Sequence, residues 1–189
     1  FAAAKPADAI ADFSKALALD GNDGDAYAAR ARAWMQSQVP AKAIGDLDRA
    51  LAIAEASGTD PATVAAWRAE RAAARTAAGD FSAALDDLRS VVAARGTPDD
   101  HRNLASALAS GGDWQGAAEA FQKALQIDGV RVSFVKQLGD AYRQGGDADK
   151  AMAQYQKAVD MAPRAVDARI ARARVWRERK DWPRALEEL

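Results

Sequence analysis

Apolar residues between positions 132 and 163 recur at the spacing of two amphipathic helices separated by a tight turn. Leu138, Ala141 and Tyr142 mark one face of the first helix, and the apolar residues of 151–159 mark one face of the second. The tripeptide Gly-Gly-Asp at 145–147 separates the two runs. Glycine permits the left-handed backbone that often ends a helix, and an aspartate side chain accepts hydrogen bonds from the free amides that begin the next. The segment therefore predicts a helix-turn-helix unit.

Small residues alternate with large ones along both predicted helices. Gly139, Ala151 and Ala158 have little side-chain volume, whereas Tyr142 and Tyr155 are able to fill the space between layers. Helices of this composition approach each other closely, so we expect a leucine at Gly139 or Ala151 to overpack the pair. Each pair still has one uncovered apolar face, which a neighbouring pair must cover.

The same unit recurs along the whole chain and predicts one all-α domain of about eleven helices with short connections. One connection, 57–64, adds about seven residues to the usual spacing. Asp60 and Pro61 there indicate a helix cap followed by a first-turn proline, so we expect longer flanking helices and not a flexible linker. We expect the domain, 1–189, to consist of a partial repeat 1–23, repeats 24–64, 65–97, 98–131 and 132–165, and a partial repeat 166–189.

The unit resembles the tetratricopeptide repeat, a helix-turn-helix motif of about 34 residues, and the chain is similar to bacterial scaffolds of that family. The resemblance rests on Leu138-Gly139, Tyr142, Gly146-Asp147, Ala151, Tyr155, Ala158 and Pro163. It implies an α-solenoid in the form of a right-handed superhelix. It also implies that the first helices of successive repeats line a concave surface on which peptide ligands lie.

Composition excludes several classes of partner and chemistry. Hydrophobic residues are 49% and aromatic residues only 7%, which is typical of a core of close helix contacts. The net charge of -1, from 26 basic and 27 acidic residues, provides no field to attract nucleic acid. No apolar run approaches the roughly 20 residues that cross a bilayer, so we expect no direct membrane insertion. The absence of cysteine excludes disulfides and fits any compartment, so localisation stays open.

Arginines replace a usual leucine on the first helix of three repeats, and an acidic residue follows each of them sixteen positions later. The two repeats that have leucine there, Leu104 and Leu138, have Ala120 and Gln154 at the second position. An arginine facing a packed layer needs a partner, so we predict structural ion pairs between the two helices of each of the three repeats. The predicted pairs are Arg30 with Asp46, Arg71 with Asp87, and Arg172 with Glu188.

The resemblance also indicates which polar residues face the groove. The predicted partner-binding residues are Arg102, Asn103, Ser106, Lys136, Gln137, Asp140, Arg143, Arg174 and Arg177. We expect Lys136 and Arg143 together to support binding, with a slight preference for acidic peptide. Family members that hold chaperone C-termini use a two-carboxylate clamp of lysines, asparagines and an arginine. Here Arg102 takes one lysine position but Ser106 replaces the next asparagine, so we do not expect chaperone tails to bind.

No constellation of residues predicts catalysis, a metal site or a cofactor. The single histidine, His101, lies beside two acids in a first helical turn, and the glycine pairs are turn residues and not a phosphate loop. Trp34 and Trp176, like Trp114 and Trp182, stand at positions expected to pack in the core or between repeats. Trp67 fits that pattern less well than the other four tryptophans.

The sequence therefore predicts a non-catalytic scaffold that binds a peptide or helix of a partner protein in its concave groove. An alternative is a regulatory or self-assembly segment of a larger polypeptide, which contacts a neighbouring domain or copies of itself. Both ends of the chain lie within a repeat, so we expect a longer protein or end-to-end self-association through apolar ends. RNA binding would need a basic stripe, which the sequence lacks.

Overall fold

The computed structural model describes residues 5–129 and 131–188, and these residues form eleven α-helices and no β-strand. The helices are α1 (Pro6–Leu19), α2 (Gly24–Gln36), α3 (Pro40–Ser57), α4 (Pro61–Ala77), α5 (Phe81–Ala94), α6 (Pro98–Ser110), α7 (Trp114–Ile127), α8 (Val132–Gln144), α9 (Ala148–Met161), α10 (Val166–Glu178) and α11 (Trp182–Glu187). The prediction of an all-α chain with about eleven helices is confirmed.

The helices form two compact units, Phe1–Gly96 with α1 to α5 and Thr97–Leu189 with α6 to α11. Within each unit every helix packs on the next one along the chain, and α2 also contacts α4 as α8 contacts α10. Packing between sequential neighbours is the arrangement of a helical-repeat solenoid, as predicted. The division of one domain into the repeats named above stays a prediction. Residues 1–4 of the first partial repeat, residue 130 of the repeat 98–131 and residue 189 of the last lie outside the described residues.

Aspartate side chains begin most of the helices, because each carboxylate accepts a hydrogen bond from an amide of the first turn. Asp147 accepts from the Lys150 amide at 3.0 Å, as the sequence predicts. Thr97 and Asp100 form a reciprocal capping box at the start of α6. Aspartate N-caps with this bond are Asp23, Asp60, Asp80, Asp113, Asp147 and Asp181.

The 57–64 insertion lengthens the helices beside it. The helices α3 and α4 have 18 and 17 residues, whereas α2 and α5 have 13 and 14. Gly58 ends α3 with a φ of 69°, and the Asp60 side chain accepts from the Thr63 amide to begin α4. The expectation of a short, structured connection is confirmed.

The core of the first unit includes a tryptophan that sequence periodicity fails to explain. The Trp67 side chain is buried among residues of α2, α3 and α4, including Leu47 and Leu51. Its ring lies so close to Gly24 that a Cβ atom there would come within 2.8 Å of it. Trp67 is therefore a packing residue whose space comes from the absence of a side chain at Gly24.

The second unit contains the close helix contact that the small residues predict. Tyr155 of α9 is fully buried, and its ring lies against Gly139 of α8. One packing expectation is wrong: Trp182, at the start of α11, is 58% exposed. Its helix has only six residues and packs on α10, so little surface is available to cover the ring.

Candidate partner-binding groove

A surface cavity of about 410 Å³ lies in the second unit, between α6, α7, α8 and α10. We call it the α8 groove, because α8 contributes most of its polar lining residues, from Lys136 to Gln144. The groove brings together six of the predicted binding residues: Ser106, Lys136, Gln137, Asp140, Arg143 and Arg174. Arg102 and Asn103 of α6 and Arg177 of α10 do not line it.

Apolar side chains form part of the groove wall. Phe121 and Ala141 are each 3% exposed, and Ala109 and Trp114 line the same cavity. Sequence reasoning omitted these residues because it selected only polar positions. A mixed wall of this kind is suited to a peptide with both apolar and polar groups.

A hydrogen-bonded carboxylate lies on the polar side of the groove. Asp140 accepts from the Tyr155 hydroxyl at 2.8 Å and from the Lys136 ammonium at 2.8 Å. Burial and then the negative charge of Asp140 raise the pKa of Tyr155 well above its usual value, so the hydroxyl stays a donor. The buried tyrosine thus fixes the carboxylate, and the carboxylate holds the lysine.

The other basic residues of the predicted site differ in their partners. Arg143 donates to Glu178 at 2.9 Å, and the Nε of Arg102 donates to Asp99 at 3.3 Å. Arg174 and Arg177 are exposed and form no ion pair within the part of the chain that the structure describes. Sequence reasoning counted all these cations as equivalent, because the acidic partner of Arg143 comes from a different helix.

Arg30, the arginine of the repeat 24–64, forms a forked pair of hydrogen bonds with Asp46. Its Nε and Nη2 donate to the two carboxylate oxygens at 2.8 and 2.7 Å, and its Nη1 donates to Ser14 at 3.0 Å. The Asp46 side chain is 10% exposed, so its charge depends on this partner. The hydrogen bonds that Arg30 donates to Asp46 raise the pKa of Arg30, although burial opposes this shift.

The other two arginines also contact an acidic residue sixteen positions ahead, but only Arg71 does so with a forked pair of hydrogen bonds. Arg71 donates from Nε and Nη2 to Asp87 at 2.9 and 2.6 Å, and its Nη1 donates to Asp48 at 2.7 Å. Arg172 donates to Glu188 at 2.6 Å and also to Gln156. Each arginine therefore contacts its own repeat sixteen residues ahead and the second helix of the preceding repeat.

The histidine, aspartate and glutamate residues, whose side chains bind metal ions in other proteins, do not cluster among the described residues. No group of three or more histidine, aspartate and glutamate residues in 5–129 and 131–188 is arranged to hold a metal ion. His101 lies partly exposed on α6 and outside the α8 groove. None of the helices described here has the length and apolarity that a membrane span requires.

Each of the two units consists of helices packed in sequence, and the second unit has an open cavity lined by polar and apolar side chains. A family model for the tetratricopeptide repeat matches residues 69–130 and 136–189, which is more than half of the chain. The chain belongs to the tetratricopeptide repeat family. Proteins of this family are generally non-enzymatic scaffolds for protein–protein interaction.

Solved structures of other tetratricopeptide proteins are similar in fold. The C-terminal part of a repeat-containing protein from Cytophaga hutchinsonii has a TM-score of 0.79 at 18% identity, covering 97% of this chain and 74% of that one. MamA has a TM-score of 0.70 at 23% identity, with coverage of 80% and 79%. YrrB, described as having an unusual peptide-binding site, has a TM-score of 0.68 at 18% identity, with coverage of 93% and 88%. No curated protein matches the chain by sequence.

Proposed function

We propose that this protein is a non-catalytic scaffold that binds a peptide or helix of a partner protein in the α8 groove, without a cofactor. The observation that carries the proposal is the cavity of about 410 Å³. Its lining consists of six predicted binding residues together with apolar side chains. The peptide-binding site described for YrrB supports this kind of ligand.

Two polar side chains of the groove, Lys136 and Asp140, are held by hydrogen bonds before a ligand arrives, so individually weak contacts are able to support binding. The Tyr155 hydroxyl fixes Asp140, and Asp140 holds Lys136, so these side chains need little further ordering when a ligand arrives. A preformed surface loses less conformational entropy on association than a mobile one. Contacts from α6, α8 and α10, each the first helix of its repeat, would then add together.

Filling the cavity tests the proposal. Peptides are first selected from a phage-displayed random library against the whole chain, and their affinity is measured with fluorescently labelled synthetic copies. A Ser106→Trp variant places an indole in the groove and should abolish binding while the circular dichroism spectrum is retained. Ser133→Trp is the matched control, because Ser133 is an exposed α8 residue that does not line the groove. Selected peptides that bind both variants equally would refute the groove assignment.

A second candidate function is self-association through an apolar surface formed by α11 and α10. Trp182 and Leu186 are 58% and 72% exposed and line a cavity of about 330 Å³ together with Ile170 of α10. An apolar surface of this kind favours protein contact. Sedimentation equilibrium distinguishes the two functions: a mass that rises with concentration, and no longer does so in a Trp182→Ala, Leu186→Ser variant, supports self-association. A constant monomer mass excludes it.

A further inference from the structure

Lys136 has its own counter-charge within the groove. The distance from its ammonium to Asp140 Oδ2 is 2.8 Å, and the other oxygen of Asp140 accepts from Tyr155. Because the buried tyrosine holds the carboxylate in place, an incoming anion at Lys136 would also meet the charge of Asp140. The attraction and the repulsion act over similar distances and largely cancel.

Arg143 is paired in the same way, but across two helices. Its Nη1 donates to Glu178 at the end of α10 at 2.9 Å, and the arginine side chain is only 18% exposed. A ligand carboxylate would have to displace Glu178 to reach the guanidinium. Lys136 and Arg143 are thus neutralised by protein groups before any ligand binds.

Arg174 is the remaining basic residue in the α8 groove. It is exposed on α10, lines the cavity, and has no ion pair among the residues that the structure describes. The groove therefore has a local excess of one positive charge, which lies at one position. The same cavity is also lined by apolar residues, which include Ala109 and Phe121.

We propose that Arg174 is the specificity-determining cation of the α8 groove and binds one carboxylate of a peptide whose neighbouring residues are apolar. This inference rests on the proposed function of the groove. Lys136 and Arg143 are then positioning residues that keep the groove in shape. A guanidinium suits this role because it binds a carboxylate with two parallel hydrogen bonds.

The test compares peptides selected by variants that differ in single charges. A phage-displayed random library of short peptides is selected against the whole wild-type chain and against Arg174→Gln and Arg177→Gln. Arg177→Gln is the matched control, because Arg177 is also an exposed arginine of α10 without an ion pair to any described residue, and it does not line the groove. Circular dichroism verifies that each variant is folded.

We expect the wild type and Arg177→Gln to enrich peptides with one aspartate or glutamate at a fixed position, and Arg174→Gln to lose that preference. For a selected peptide, replacing its acid by the amide should weaken binding to the wild type by about tenfold or more, and by little in Arg174→Gln. Selected peptides without an acid, or an acid preference that survives in Arg174→Gln, would overturn the inference and leave the groove function intact. Failure of the wild type to select any peptide would overturn the groove function as well.

Discussion

Replacing Gly139 by alanine should destabilise the second unit, although alanine is the better helix former. A Cβ atom at this position would lie 2.6 Å from Cε1 and 2.8 Å from Cδ1 of Tyr155, closer than the 3.0 Å below which such contacts are essentially never found. The tyrosine ring is fully buried, and its hydroxyl bonds Asp140, so the ring is not free to swing away. Either α8 and α9 must separate or the hydrogen bond must break.

The magnitude follows from two opposing effects. Overpacking a core typically costs about 1–3 kcal/mol. Replacing glycine by alanine within a helix contributes about 1 kcal/mol in the opposite direction. Together the two effects leave a net cost of about 0–2 kcal/mol. Because the clash involves a fixed ring, we expect the upper half of that range, a fall in the free energy of unfolding of about 1–2 kcal/mol. Gly45 provides the control, because it is exposed within α3 and a Cβ atom added there would have no neighbouring group within 4 Å.

Urea unfolding followed by circular dichroism measures both substitutions, and hydrogen exchange of α8 and α9 locates the effect, since repeat proteins do not always unfold in one step. Gly45→Ala should stabilise the chain by about 0.5–1 kcal/mol, the opposite sign. In a Tyr155→Leu background the cost of Gly139→Ala should largely disappear. A stabilising Gly139→Ala in the wild-type background would show that the close approach of α8 and α9 is wrong.

Two further predictions concern buried polar groups. Arg30→Leu should lower the free energy of unfolding by about 3 kcal/mol because it leaves Asp46 buried without its partner, and adding Asp46→Ala should recover most of the loss, as urea unfolding would detect. Tyr155→Phe should be destabilising at pH 8 but less so at pH 11. The pKa of Tyr155 is higher in the folded state than its value near 10 in the unfolded state. The contribution of the hydroxyl to stability is therefore complete below about pH 10 and decreases as the pH rises towards the folded-state pKa. An equal effect of Tyr155→Phe at both pH values would contradict this.

The helices and their ends could be predicted from the sequence, because short-range chemistry determines them. Thr97 and Asp100 lie three residues apart, and both hydrogen bonds of their capping box occur. The 57–64 insertion followed the same logic, since Asp60 and Pro61 specify a helix start without any tertiary contact. Spacing also indicated the partners of the three arginines, because the two helices of one repeat are close in sequence.

Other features depend on side chains that sequence spacing does not bring together. The burial of Trp67 requires the missing side chain of Gly24, forty-three residues earlier, which no periodic pattern expresses. The contact from Arg71 to Asp48 is another example, since it reaches back twenty-three residues into the preceding repeat. The equivalent contact of Arg30 reaches Ser14 sixteen residues back, and the 57–64 insertion accounts for the difference.

The two ion pairs of the groove differ in the same way, because one joins residues close in sequence and the other joins distant residues. The pair of Lys136 with Asp140 joins residues four apart on one helix, a spacing at which opposite charges are expected to meet. The pair of Arg143 with Glu178 joins residues thirty-five apart and exists only because α8 and α10 come together. A count of basic residues therefore overstates the charge that a ligand meets. Because pairing occupies Lys136 and Arg143 and leaves Arg174, the position that we propose for a ligand's carboxylate depends on the packing of α10 against α8 as well as on the sequence of α8.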